Sequence, residues 1–315
     1  MASKNIETLS ALMHFGAIES MGVKEDGDWR GDMSWTKAYW DTIDQVYWWP
    51  PYAGLRSISQ KLWRKDGDRI SVPAELVNKS GPLYTRERKA AELHAWLHSQ
   101  EEPLNHIFDL TFSIAADEAV RSLLFSELGI EEDESLSLDR PGRSIKDRYG
   151  WGNDNVTQPD GLFLSDREAV CVELKLGSPT SPMQIVKYAC MLLMEEDFSK
   201  AKKELGLLFI VPASAMGRHW QKCGLDGPAI DLGIVDHLGT KPPPARIQEI
   251  LQTRMSDLKD VMSRMRLAAV SWSHFDRSIE LYLDKVGSSE PGDATLRRLL
   301  GGFRQHLRMH RGTEV

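Results

Sequence analysis

The sequence is poor in cysteine, in excess basic charge and in long apolar runs, and each shortage removes a class of protein. Its three cysteines, Cys171, Cys190 and Cys223, form no CxxC or other metal-ligand spacing and cannot all pair with one another. They are expected to be reduced thiols of a cytoplasmic protein. The longest uninterrupted apolar run, Tyr188 to Met194, has seven residues, far short of the roughly 18 that a membrane span needs, so no membrane partner is expected. The opening MASKNIETLS lacks the basic stretch and apolar run of a secretory signal. Lysine and arginine total 39 against 46 aspartates and glutamates, a formal charge of −7. That excludes a surface coated overall for nucleic acid but leaves room for a local basic groove. Neither GxSxG nor GxxxxGK[ST] occurs, so serine-hydrolase and P-loop readings find no support.

What is present is ordinary globular material: 41% hydrophobic and 27% charged residues over a length that suits one large domain or two. Three regions differ in texture. Residues 1–112 are aromatic-rich and mainly helical in pattern, with six of the ten tryptophans between Trp29 and Trp63. Helices are expected from Thr36 to Tyr47, stopped by Pro50-Pro51, and from Tyr84 to Gln100. Residues 113–240 have the grammar of a mixed α/β core. A helix from Ala116 to Leu128 closes at Gly129, and runs at Val156–Leu164 and Ala169–Leu176 flank a turn at 165–167. A helix from Ser181 to Met194 opens with Pro182, and Leu205 to Val211 reads as a strand buried on both faces. Past Lys241-Pro242-Pro243-Pro244, residues 241–315 carry helical spacing over Ile247–Trp272, Ser273–Val286 and Thr295–Met309. Arginines 297, 298, 304, 308 and 311, in and just past the last of these, stand in a stretch without a carboxylate. Arg297, Arg298, Arg304 and Arg308 are candidates for tracking phosphates, against the simpler reading of a solvated helix face.

The chemistry concentrates in VCVELKL. A strand's period of two puts Val170, Val172, Leu174 and Leu176 on one face and Glu173 with Lys175 on the other. Such a pair is costly to bury unless it is matched or used. Thirteen residues before Glu173 stands Pro159-Asp160-Gly161. If the two runs pair as a hairpin, Asp160 approaches Glu173, and the two carboxylates make a hard-cation site suited to Mg²⁺ or Mn²⁺. The Acid-x-Lys pattern occurs twice more, at Glu87-Arg88-Lys89 and Asp257-Leu258-Lys259, but there in helical contexts where positions i and i+2 diverge.

Pro159-Asp160, followed by Glu173-Leu174-Lys175 and then a helix, resembles the PD-(D/E)xK phosphodiesterase superfamily. The Gln184-x-x-x-Tyr188 spacing is similar to the extra motif of its RecB-like exonuclease branch. Glu118, eleven residues before Gly129, resembles the acid of the superfamily's opening helix. The resemblance covers residues from about 115 to 212. It implies a restriction-endonuclease-like core, an α/β (α+β) mixed sheet, flanked by the aromatic-rich and helical regions. The implied protein is a Mg²⁺-dependent deoxyribonuclease, with Mn²⁺ as the alternative ion and RNA not excluded as substrate. Asp160, Glu173 and Glu118 would hold the metal with the Leu174 carbonyl. Lys175 would orient or deprotonate water, and Gln184 and Tyr188 would contact the phosphate backbone or brace the site. Double-strand cleavage from one site per chain would favour a homodimer.

Simpler readings stand beside these. Glu173 and Lys175 also fit an ion pair on an edge strand, Asp160 a Pro-Asp-Gly turn, and Glu118 a solvated helix acid. His94 and His98 lack the HExxH glutamate and read as helix-surface residues, and the tryptophans as packing. The alternative function is a catalytically inactive nuclease-fold module that binds nucleic acid or protein. A third reading is an interaction protein built around the tryptophan-rich region.

Overall fold

The computed structural model describes residues 35–36, 38–39, 64–66, 69–71, 101–131, 137–141, 145–151, 156–177, 180–238, 243–287 and 290–315. Every described residue falls in one compact unit, Ser34–Val315. The expected helix at Tyr84–Gln100, with His94 and His98, lies outside the described residues, as does most of Thr36–Tyr47.

Strands β1 (Arg64–Asp66) and β2 (Arg69–Ser71) form an antiparallel ribbon. Helix α1 (Glu101–Ile114) follows. Segment α2 begins as α-helix at Asp117–Val120, passes through a π turn at Arg121–Phe125 and tightens to 3₁₀ at Ser126–Leu128. Gly129 ends it with φ 63°, the left-handed conformation expected of that position. Helix α3 (Ile145–Arg148) leads to the main sheet. Its strands are β3 (Gly161–Leu164), β4 (Glu168–Leu174), β5 (Glu204–Val211) and β6 (Arg266–Ser271), side by side in that order. β3 runs antiparallel to β4, while β4, β5 and β6 are parallel. The helices between and after them are α4 (Pro182–Ser199), α5 (Ala213–Lys222), α6 (Ala245–Thr253), α7 (Met255–Arg264), α8 (Trp272–Lys285) and α9 (Pro291–Met309).

The expected alternation in β4 is present, but both faces are buried. Ala169 and Cys171 join Leu205, Leu207 and Phe209 in a core covered by α4, α6 and α7. Val170, Val172 and Leu174 join Leu208 and Ile210 in a second core under α1, α2, α8 and α9. Helices on both faces of a mostly parallel sheet make a three-layer α/β architecture. Within the second core Phe108 and Phe112 of α1 stack against Phe275 of α8 and Phe303 of α9. Ring centroids lie 4.6 Å apart for Phe108–Phe112 and 5.6 Å for Phe112–Phe303.

Three expectations need correction. The first run shortens to Gly161–Leu164, with Val156 to Asp160 outside the ladder. The second is the continuous helix expected from Ile247 to Trp272. It breaks at Arg254 into α6 and α7 and ends in β6, which takes the open edge of β5. Leu267 and Val270 are three apart and imitate a helical stripe, yet parallel pairing with a buried strand decides their conformation. Third, β4 is flanked on both sides, by β3 and β5, which removes the edge-strand reading of Glu173 and Lys175. The 241–315 stretch thus contributes a strand to the same sheet. Trp35 packs where any side chain at Gly302 would overlap it, and its Nε1 donates to the Leu299 carbonyl at 2.8 Å. Among the described residues no helix is long and apolar enough to cross a membrane.

Candidate active site

The site forms at the carboxyl ends of the parallel strands, where open α/β sheets present their loops. The register Gly161↔Val172 sets Asp160 one step beyond the β3–β4 ladder. Its backbone N–H donates to the Val172 carbonyl at 3.1 Å, and its Oδ2 accepts the Leu174 N–H at 2.7 Å. In a strand the N–H and C=O of one residue leave the same edge. The Leu174 carbonyl therefore faces the Asp160 side, while Lys175 turns its N–H to Ile210 of β5 at 2.8 Å.

Glu173 is the hub. Its Oε1 accepts Lys175 Nζ at 2.6 Å and Gln184 Nε2, and its Oε2 accepts the Tyr188 hydroxyl. Gln184 and Tyr188 lie one turn apart on α4, the helix covering this face of β4, so both reach the same carboxylate. Tyr188 is fully buried, so it braces Glu173 and cannot touch a phosphate. Glu173 and Lys175 are only 6% and 9% exposed. Trp272 Nε1 holds the Lys175 carbonyl at 2.9 Å, pinning the strand end from the far face.

The electrostatics are unbalanced. Burial, with Glu173 beside it, raises the Asp160 pKa well above the usual carboxylate range, against the pull of the Leu174 N–H and Lys175. Burial works to lower Lys175, but the Glu173 charge and hydrogen bond outweigh it and hold the ammonium above its ordinary value. Burial and Glu173 also push up Tyr188. His219 of α5 is held down to about 4 by burial and by Lys222 and Lys175, so it adds no positive charge at neutral pH. Glu101 acts on both Asp160 and Lys175, giving three carboxylates around one ammonium.

The opposite end of β4 shows the contrast. Glu168 is buried too, but Arg121 meets both its oxygens at 2.6 and 2.7 Å and Ser165 Oγ adds a third bond at 2.7 Å. A structural carboxylate here comes with its own guanidinium. Asp160 and Glu173 do not.

Glu101 and Asn105 were missed by sequence reading. α1 delivers both from one face, a turn apart: Glu101 Oε2 accepts the Leu176 N–H at 3.3 Å, and Asn105 Nδ2 donates to Asp160 Oδ1 at 2.6 Å. The signal available was Glu101-Glu102-Pro103, an acidic, proline-containing pattern suited to a first helical turn. Glu118, by contrast, is exposed on α2, away from this cluster; its neighbour Asp117 instead accepts the Leu138 N–H and pairs with Arg140 at 2.6 Å. Arg304 grips Asp276 of α8 at 2.8 and 3.1 Å, and Arg308 reaches the same carboxylate at 3.0 Å. Arg297 bonds the Val286 and Gly287 carbonyls, and Arg298 is exposed.

The donor set suits a hard divalent ion. A carboxylate offers about four acceptor positions; Glu173 uses three and Asp160 two. The Oδ1 of Asn105 is shut off from solvent and has no hydrogen-bond partner among the described residues. Among those residues no three His, Cys, Asp or Glu side chains form a ready-made cage, so neutral oxygens would complete the shell. Asn105, Asp109, Arg140, Gln158 and Asp160 line an open groove of about 390 Å³ along β3. No family model, curated protein or solved structure gives a match to this chain.

Proposed function

We propose that this chain is a metal-dependent nuclease of the PD-(D/E)xK kind, with a restriction-endonuclease-like core, hydrolysing phosphodiester bonds of DNA. The observation that carries the reading is the convergence of Asp160, Glu173 and Lys175 at one strand end, under-compensated in charge, with Asp160 also lining a groove. Asp160, Glu173 and the Leu174 carbonyl would hold Mg²⁺ or Mn²⁺. A bound ion of this type lowers the pKa of a coordinated water and offsets oxyanion charge. Lys175, charged at neutral pH, orients the attacking water and neutralises charge gathering on the phosphate. Gln184 and Tyr188 keep the Glu173 carboxylate in one orientation. With one site per chain, cutting both strands of a duplex calls for a second copy, which sedimentation would detect.

The test is cleavage of linear, circular and single-stranded DNA, and of RNA, in Mg²⁺, Mn²⁺ or EDTA. Wild type degrades at least one substrate only with metal, and Lys175→Ala reduces the rate by at least about 10²-fold while keeping the fold. Full activity in that variant overturns the assignment. One observation favours the non-catalytic alternative: Lys175, Gln184 and Tyr188 already bond Glu173. Metal binding by wild type without turnover of any substrate would select it.

A further inference from the structure

Asn105 stands half-buried on α1, four residues after Glu101, and its amide nitrogen donates to Asp160 Oδ1 at 2.6 Å. That bond fixes which end of the amide is oxygen, because the reverse orientation would set two acceptors against each other at the same distance. The oxygen so placed has no solvent contact and no hydrogen-bond partner among the described residues. Folded proteins rarely leave a buried acceptor in that state.

Asp160, Glu173 and Glu101 present acceptor oxygens to one another's surroundings, the Leu174 N–H bonds Asp160, and the Lys175 Nζ bonds Glu173. What would satisfy every oxygen in this cluster at once is a cation. A neutral amide oxygen is a good ligand for a hard divalent ion and adds no charge to the two carboxylates that already match it.

We infer that the side-chain oxygen of Asn105 is a ligand of the divalent cation at the Asp160–Glu173 site. This rests on the metal-site reading above and adds a residue outside the PD…ExK pattern. The amide has two tasks: its nitrogen orients Asp160, and its oxygen enters the metal shell.

The test is calorimetric titration of the full-length protein with Mn²⁺, after EDTA treatment and exchange, on wild type, Asp160→Asn, Asn105→Ala and Asn105→Asp. Circular dichroism in EDTA confirms that each is folded. Wild type binds and Asp160→Asn does not. Asn105→Ala weakens binding by about 10- to 100-fold, the loss typical of disturbed metal surroundings. Asn105→Asp keeps an oxygen but loses the donor to Asp160, and it binds at least as tightly as wild type. If Asp160→Asn binds like wild type, the metal site itself is wrong. If Asp160→Asn fails but Asn105→Ala binds normally, the site stands and the Asn105 ligand is refuted. Equal weakening in the Ala and Asp variants also refutes it, since Asn105 would then act only by orienting Asp160. Should Asn105→Ala misfold, the Asp variant alone decides, because a lost ligand and a lost donor shift it in opposite directions.

Discussion

At the scale of single residues, two kinds of acid coexist on β4 and its neighbours. Glu168 is neutralised by Arg121 and stabilises the fold. Asp160 is held at a raised pKa, which makes it a net cost in the metal-free protein at neutral pH. The sign follows from linkage. A carboxyl that holds its proton more tightly folded than unfolded costs the fold stability as pH rises from the ordinary carboxylate range through its raised value. Asp160→Asn removes that cost and still offers an oxygen to the Leu174 N–H. In EDTA at pH 7 its thermal midpoint is therefore expected to exceed that of wild type by at least about 2 °C, with the gap closing toward pH 4. Mg²⁺ should raise the wild-type midpoint and leave the variant unmoved. Scanning calorimetry with and without metal reads both; a lower midpoint for the variant in EDTA would contradict the electrostatic account. Glu168→Gln should do the reverse, losing about 3–5 kcal/mol because it removes the carboxylate that meets the buried Arg121 guanidinium.

At the scale of elements, α1 and α4 aim the site while β4 carries it. The position of α1 is set by Phe108 and Phe112 locking onto Phe275 and Phe303. Phe112→Ala should cost about 3–5 kcal/mol of stability. It should also lower metal affinity, since Glu101 and Asn105 ride on the same helix; denaturant melts and Mn²⁺ titration check the two effects separately. Local sequence reading located α4, because a proline such as Pro182 suits the first turn of a helix. It could not locate β6, whose alanines and i, i+3 apolar pair are equally at home in a helix until β5 presents an open edge.

At the scale of the whole molecule, a net charge of −7 means that the DNA binding proposed above would fall to local patches. Arg304 is consumed in clamping α8 to α9, so substituting it should damage stability before binding. Arg298, exposed on α9, is the better probe. If α9 tracks phosphates, Arg298→Glu weakens DNA binding without changing the thermal midpoint, and it lowers the salt slope by about 1. Unchanged affinity would return α9 to a purely packing role. The tail beyond α9 comes back to the site end of the sheet, where Gly312 packs on Leu176.

By itself the sequence determined the local terms: the α/β grammar, the β4 alternation and the PD…ELK spacing. It also determined the Gln184–Tyr188 pair on one helix face, for these depend on neighbours within a few positions. Only the tertiary structure decided that β4 is interior, that β6 completes the sheet, and that Glu101 and Asn105 rather than Glu118 face Asp160. Those facts rest on contacts between segments some 55 to 75 residues apart or more. Such contacts are chosen by which apolar faces find each other and which buried charges find partners, and no window of sequence contains both sides of that choice.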